Sequence, residues 1–374
     1  MGIIYLCKSG HESRSPILQV GKYMEPKTKE ILWVDWIRAL ATFGVVFLHA
    51  ASPLLYRYNK IPEFYWWIGN IFDSMVRMCV PLFFMISGFL LLQKEYSLLT
   101  FFSKRVNKVL IPLLAWSIFF LLWKAYYQHS MTLSLSSFFN LITVPAYFHL
   151  WFLYALIGLY LITPVLRIIV QYGDEYISQY FVVLWFIGAS LFPLIEKFTD
   201  IKIGINLGFI EGYTGFLILG WILGNKEITK KTAVIAGLMT FICIFITAVG
   251  TYYLTVNNQG KYSDYFYDPL APNVIFLAIS VFLLIRYFVE NFSITHNEPV
   301  IWIIRSISSS SLGIFLVHIC FLYILREGHL GVYLYGYRGN PILFIPITAV
   351  IAFLLSYGTI SILRMNHLTR KLVP

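Results

Sequence analysis

The sequence predicts an all-α fold: a polytopic membrane helix bundle of about ten transmembrane helices with both termini cytoplasmic. Three observations carry this expectation. Of 374 residues, 59% are hydrophobic and only 12% are charged, and the mean hydropathy is +0.73. A soluble domain carries about 25% charged residues, because it needs a polar exterior. The apolar residues gather into ten runs at or near the length of about 20 that a bilayer-spanning helix requires. Lysine and arginine, finally, are unevenly divided between the loops that join these runs. The same figures exclude disordered, collagenous and disulfide-stapled chains. The net charge of +10 forms no single patch, so no nucleic-acid partner is expected.

The runs cover roughly 36–56, 70–92, 109–128, 150–171, 177–195, 208–224, 233–255, 271–289, 309–325 and 341–363. The second contains Pro81, which is expected to bend it and free a carbonyl, and Ser87-Gly88, which allows close backbone approach. Between the third and fourth, residues 130–148 mix polar and apolar side chains and end at a proline-containing turn. This stretch reads as interfacial or re-entrant, since backbone at membrane depth needs internal partners. The sixth run is the shortest and holds Glu211 beside Gly212. With the N-terminus inside, the cytoplasmic segments carry 19 lysines and arginines and the outer loops 7. That asymmetry sets the orientation.

A polar tail is expected over 1–30, one membrane domain over 31–365 and a short cytoplasmic tail over 366–374. Residues 1–30 lack the apolar region and cleavage site of a signal peptide, and Met24 reads as an alternative start. Cys7, Cys79, Cys243 and Cys320 are far apart and show no ligand spacing. They are expected to be small buried hydrophobes.

Ionisable groups inside a spanning helix are costly, so each is a candidate for function. In the first run Arg38 and His49 are eleven residues apart, which is three helical turns plus about 20°. They share one face, about 16 Å apart along the axis, and Asp35 is placed to pair with Arg38. A cation near the cytoplasmic mouth and an imidazole deeper in the membrane suit a long ligand with an anionic head and a reactive tip. The plain alternative is that Arg38 anchors at the interface and His49 bonds structurally. Asp73 and Arg77, four residues apart, either pair as a fold-specifying ion pair or place Arg77 in a polar cavity. His149 and Trp151 begin the fourth run, where an aromatic belt is the ordinary reading. His318 follows a serine run, Ser308–Ser311, and either bonds to a neighbouring helix or joins a site. Lys124, near a helix end, is expected to snorkel.

At these residues the sequence resembles the acyltransferase-3 family of integral membrane acyltransferases. The family hallmark, a basic residue, ten residues and then histidine on the first helix, is matched by Arg38 and His49. The stretches VDWIRALA (34–41), VPLFFMISGFLL (80–91), HLWFLYALIGLYLITP (149–164) and SLGIFLVH (311–318) follow in family order. The resemblance implies transfer of an acyl group, usually acetyl from cytoplasmic acetyl-CoA, to a hydroxyl of an envelope glycan or lipid-linked saccharide. It also implies a bacterial plasma (inner) membrane location, with glycan-assembly proteins as possible partners and no metal. His49 corresponds to the family's essential histidine and Arg38 to its basic partner, while Arg77, His149 and Trp151 fall on other recurrent positions. The CoA phosphates are expected near Arg38 and the basic stretch of Lys104, Arg105, Asn107 and Lys108, with Arg77 a further candidate contact. His49 is expected to act as general base or as an acyl carrier, and Ser87 and Arg77 are candidate oxyanion donors. No C-terminal hydrolase-like domain follows the last run, so acceptor selection is expected to rest on loops or a partner. Competing readings are a glycan transporter or exporter, and a sensor.

Overall fold

The computed structural model describes residues 31–94, 97–130, 134–208, 212–292, 297–329 and 331–374. The N-terminal tail expected over 1–30, with Cys7, and Glu211 lie outside the described residues. Among the described residues there is no strand. The chain forms α1 (Leu32–Ala51), α2 (Glu63–Ser74), α3 (Cys79–Leu92), α4 (Leu98–Tyr127), α5 (Trp151–Tyr172) and α6 (Glu175–Phe198). It continues with α7 (Thr214–Asn225), α8 (Lys230–Asn257), α9 (Pro272–Asn291), α10 (Glu298–Glu327) and α11 (Pro341–Leu363). Counting α2 and α3 as one span, nine helical segments among the described residues are long and apolar enough to cross a membrane. The protein is a multi-pass membrane protein.

The sixth apolar run differs in length from the others. Among the described residues of this region the helix is α7, twelve residues long, about 18 Å of rise against a hydrocarbon core of about 30 Å. It packs closely on α3. Gly88 of α3 lies directly against the Leu217 backbone, Gly220 of α7 against the Met85 backbone, and Gly224 against the Phe89 ring. Eight of the twelve residues of α7 are buried, so its neighbours are mostly protein.

The second run is also not one straight helix. It stops at Ser74 and resumes at Cys79. Pro81 has no N–H to offer the carbonyl four residues earlier, at Arg77, which is where the helix opens. The Leu82 N–H donates to the Met78 carbonyl and restarts the ladder. Cys79, Cys243 and Cys320 are buried and unpaired, in keeping with their expected role as small hydrophobes.

Residues 134–150 hold a short helix (Leu135–Phe139) and two tight turns. They are tied to the bundle by a hydrogen bond from the Tyr154 hydroxyl to the Leu141 carbonyl. Gln128 adds a bond from Nε2 to the Tyr147 hydroxyl at 2.9 Å.

Both ends of the described chain lie at one end of the bundle, because Arg38, Lys108, Arg364 and Pro374 line a single cavity. Residues 366–374 are not a free tail. Trp116 Nε1 donates to the Leu372 carbonyl at 3.0 Å, Arg364 Nε donates to the Val373 carbonyl at 3.1 Å, and Val373 is fully buried. α1 packs against α2, α3, α9, α10 and α11. It runs parallel to α10: Arg38 meets Ser308 near one end, and His49 meets His318 near the other.

Adding a methyl group at Gly220 would force it into the Met85 backbone. Gly220→Ala should therefore destabilise the bundle by about 1–3 kcal/mol. Gly237→Ala, which opens onto free space, should be neutral or slightly stabilising. Thermal unfolding of the two detergent-purified variants compares them.

Candidate functional site

The α1–α10 seam carries two polar clusters. At the first, the Ser308 hydroxyl donates to Asp35 Oδ1 at 2.5 Å and accepts from Arg38 Nη1 at 3.1 Å. The direct Arg38–Asp35 contact is longer, 3.8 Å. Serine thus bridges a pair that spacing alone would place in direct contact. Arg38 keeps 28% of its side chain exposed and Asp35 15%, so the guanidinium faces open space while held from behind.

That space is a cavity of about 390 Å³, within the usual range for small-molecule sites. Its mouth is formed by Arg38, Lys108, Arg364, Ser309 and the C-terminal Pro374, and Tyr160, Ser87 and Ser311 line it further. Arg364 Nη1 donates to the hydroxyls of Ser309 (3.2 Å) and Ser310 (3.1 Å), and Nη2 to the Ser309 carbonyl (2.6 Å). Burial, and secondarily the charge of Arg370, push the Arg364 guanidinium down from the ordinary arginine value. A bound anion would relieve the second effect. The apolar lining comes from Phe83, Phe152, Leu156 and Phe315.

Phe315 connects this cavity to the second cluster. Its ring lies 5.6 Å from His149 and 5.8 Å from His318, centroid to centroid. His49 packs against His318 at 5.3 Å and edge-on against Phe148 at 5.4 Å. His149 and His318 are buried, and their rings are 5.6 Å apart. Three imidazoles from α1, α10 and the turn before α5 therefore meet beside the apolar wall of the cavity.

A third group stands where α2 breaks. Asp73 is fully buried and binds Arg77 Nε at 2.5 Å. The Arg77 guanidinium also lies 3.9 Å over the Tyr267 ring, whose hydroxyl donates to the Asn70 side-chain oxygen. Arg77 does not line the cavity.

A cation-mouthed cavity backed by clustered histidines, inside a membrane bundle, fits chemistry on a ligand with an anionic head. The acyltransferase domain model of the acyltransferase-3 family matches residues 31–361. The chain belongs to that family. No curated protein and no solved structure matches it. Membership makes this chain a membrane acyltransferase, and the match runs from the first turn of α1 almost to the end of α11, so both polar clusters fall within the family domain.

Several expected site residues stand elsewhere than their spacing suggested. Lys104 is exposed on α4, and Arg105 lies 5.5 Å from the rings of Phe101 and Tyr160. Neither lines the cavity, whereas Lys108 does. A π-helical turn at Val106–Leu110 intervenes and shifts the register that would stack residues four apart. His149 is no boundary residue: it is buried, and Nε2 bonds the Leu316 carbonyl at 3.3 Å. Trp151 packs on Tyr213 at 5.7 Å. Ser87 borders the cavity, but its hydroxyl donates to the Phe83 carbonyl at 2.7 Å, so its proton is committed within α3. Lys124 lies 5.3 Å from the Tyr147 ring. Sequence alone assigned no task to Arg364 or to Ser308–Ser311. The serine run before the family stretch at 311–318 was the available signal.

Removing one partner of the buried pair leaves an uncompensated charge. Asp73→Leu should cost about 3–5 kcal/mol. The double variant Asp73→Leu/Arg77→Met should recover most of that stability, as read by thermal unfolding in detergent.

Proposed function

We propose that this acyltransferase moves an acetyl group from acetyl-CoA to a hydroxyl of a cell-envelope glycan or lipid-linked saccharide. Its place would be the bacterial plasma (inner) membrane, with the cavity mouth facing the cytoplasm. One observation carries the reading: the cavity is lined by Arg38, Lys108 and Arg364, is apolar along Phe83, Phe152 and Phe315, and through the Phe315 ring adjoins His149 and His318, the second of which packs on His49. The residue types fit the donor. Arg38, Lys108 and Arg364 match CoA phosphates, hydroxyls of Ser309 and Ser311 match the polar pantetheine arm, and Phe83, Phe152 and Phe315 would shield the thioester from water. The surplus of basic residues on the same side supports a cytoplasmic mouth. Within the family, VPLFFMISG and FHLWF resemble the enterobacterial common antigen O-acetyltransferase, which supports an acceptor of that polymer class. Glycan-assembly proteins would be the natural partners.

In this mechanism His49 takes the proton of the acceptor hydroxyl as its oxygen attacks the thioester carbonyl. The new C–O bond forms, the C–S bond breaks, and His49 returns the proton to the departing thiolate.

His49→Ala should reduce acetyl transfer by about 10²–10⁴-fold while leaving membrane expression normal. Mass spectrometry of envelope glycans from complemented deletion strains reads this directly. Full retained acetylation would refute the assignment. Lys108→Gln should raise the KM for acetyl-CoA by about tenfold, as loss of one charge-assisted contact implies, with kcat little changed. Steady-state kinetics in detergent or proteoliposomes measures both constants.

A further inference from the structure

Two imidazoles beside His49 each have one nitrogen committed and one bare. His318 Nδ1 lies 2.6 Å from the Phe315 carbonyl of its own helix. A carbonyl can only accept, so Nδ1 carries the proton and Nε2 presents a lone pair. His149 Nε2 bonds the Leu316 carbonyl in the same way, leaving its Nδ1 bare. Both bare nitrogens are buried and make no hydrogen bond. A buried acceptor without a donor is unfavourable, and phenylalanine or leucine would fill either place without that penalty. Among the described residues no set of three or more His, Cys, Asp or Glu is arranged to hold a metal ion. The lone pairs therefore face a donor of another kind.

Of the two, His318 is the one whose ring packs on His49, at 5.3 Å and 33° between planes. No hydrogen bond joins the two rings in this structure, but centroids at 5.3 Å are close enough for a nitrogen-to-nitrogen bond when the rings turn edge to edge. We propose that His318 is a positioning residue for His49, its bare Nε2 receiving the ring N–H of His49 that points away from the acceptor hydroxyl. This rests on His49 being the base. When His49 takes the hydroxyl proton it carries two N–H groups. One goes back to the CoA thiolate; the other stays on His49 and donates to His318 throughout. No proton moves to His318. The pairing fixes which nitrogen of His49 is free to act and supports the imidazolium as it forms, the task a carboxylate performs in hydrolase triads. A neutral partner suits this depth, because a carboxylate there would need a compensating cation. The two rings are held in register by the parallel α1–α10 seam, where Ser308 also bonds Asp35 and Arg38.

The test compares His318→Leu, which fills the space without an acceptor, with His318→Gln, whose carboxamide oxygen reaches toward the Nε2 position. The expected result is a kcat about a hundredfold lower for the leucine variant, with unchanged KM for acetyl-CoA and undiminished thermal stability. The glutamine variant should recover at least tenfold of that loss. A leucine variant within twofold of the parent enzyme overturns the proposal. So does an equal loss in both variants, or a loss that tracks falling stability. If the leucine variant is not recovered folded, His318→Ala with and without added imidazole replaces it: a rate increase supports the pairing, and no increase overturns it. His49→Ala is assayed in parallel. Activity retained there means that the base assignment has failed, whereas an inactive His49→Ala beside a fully active His318→Leu means that only the pairing has.

Discussion

Inside a bilayer a polar group must look to the protein for its partner, and in this chain the α1–α10 seam joins the two polar clusters nearest the cavity. Asp35, Arg38 and Ser308 satisfy one another near one end of the seam, and His49 and His318 meet about three turns deeper. Because the helices run parallel, both contacts are held in one register. The cavity opens beside the first contact and its aromatic wall touches the second cluster. The bundle around the seam keeps the two at a fixed separation.

The other departures from regular helix serve the same arrangement. Pro81 opens the second span where Asp73 and Arg77 neutralise each other. Glycines at 88 and 220 let α3 and α7 touch backbone to backbone, and this steadies the cavity wall that carries Phe83 and Ser87. The last residues of the chain close over the mouth through Trp116 and Arg364. The mouth is therefore made of segments far apart in sequence.

What could be read from the sequence was what depends on local periodicity. Arg38 and His49 share a face because a helix repeats every 3.6 residues, and no tertiary knowledge is needed to see it. Hydropathy located the spans but could not measure α7, since it counts apolar residues without distinguishing lipid from protein as their neighbour. Within the basic stretch of 104–108, only Lys108 reaches the cavity, past the π turn at Val106–Leu110, and a π turn leaves no reliable mark in composition. Ser308 and Arg364 acquire their roles from contacts across 270 and about 55 residues. His149 looked like a belt residue because its burial comes from Phe120 and Phe315 on other helices.

The separation of α1 from α10 along the chain also bears on how the protein is made. Chains enter the membrane from the N-terminus as they are synthesised, so His49 and Arg38 are inserted early, without Ser308 or His318. Until α10 arrives, Arg38 lacks its serine bridge and the cavity lacks the wall that Phe315 supplies. The ribosome must complete nearly the whole polypeptide before donor mouth and histidine cluster exist together. Assembly of the reactive centre is thereby deferred to the end of biogenesis, and truncated or stalled chains are left chemically silent in the membrane.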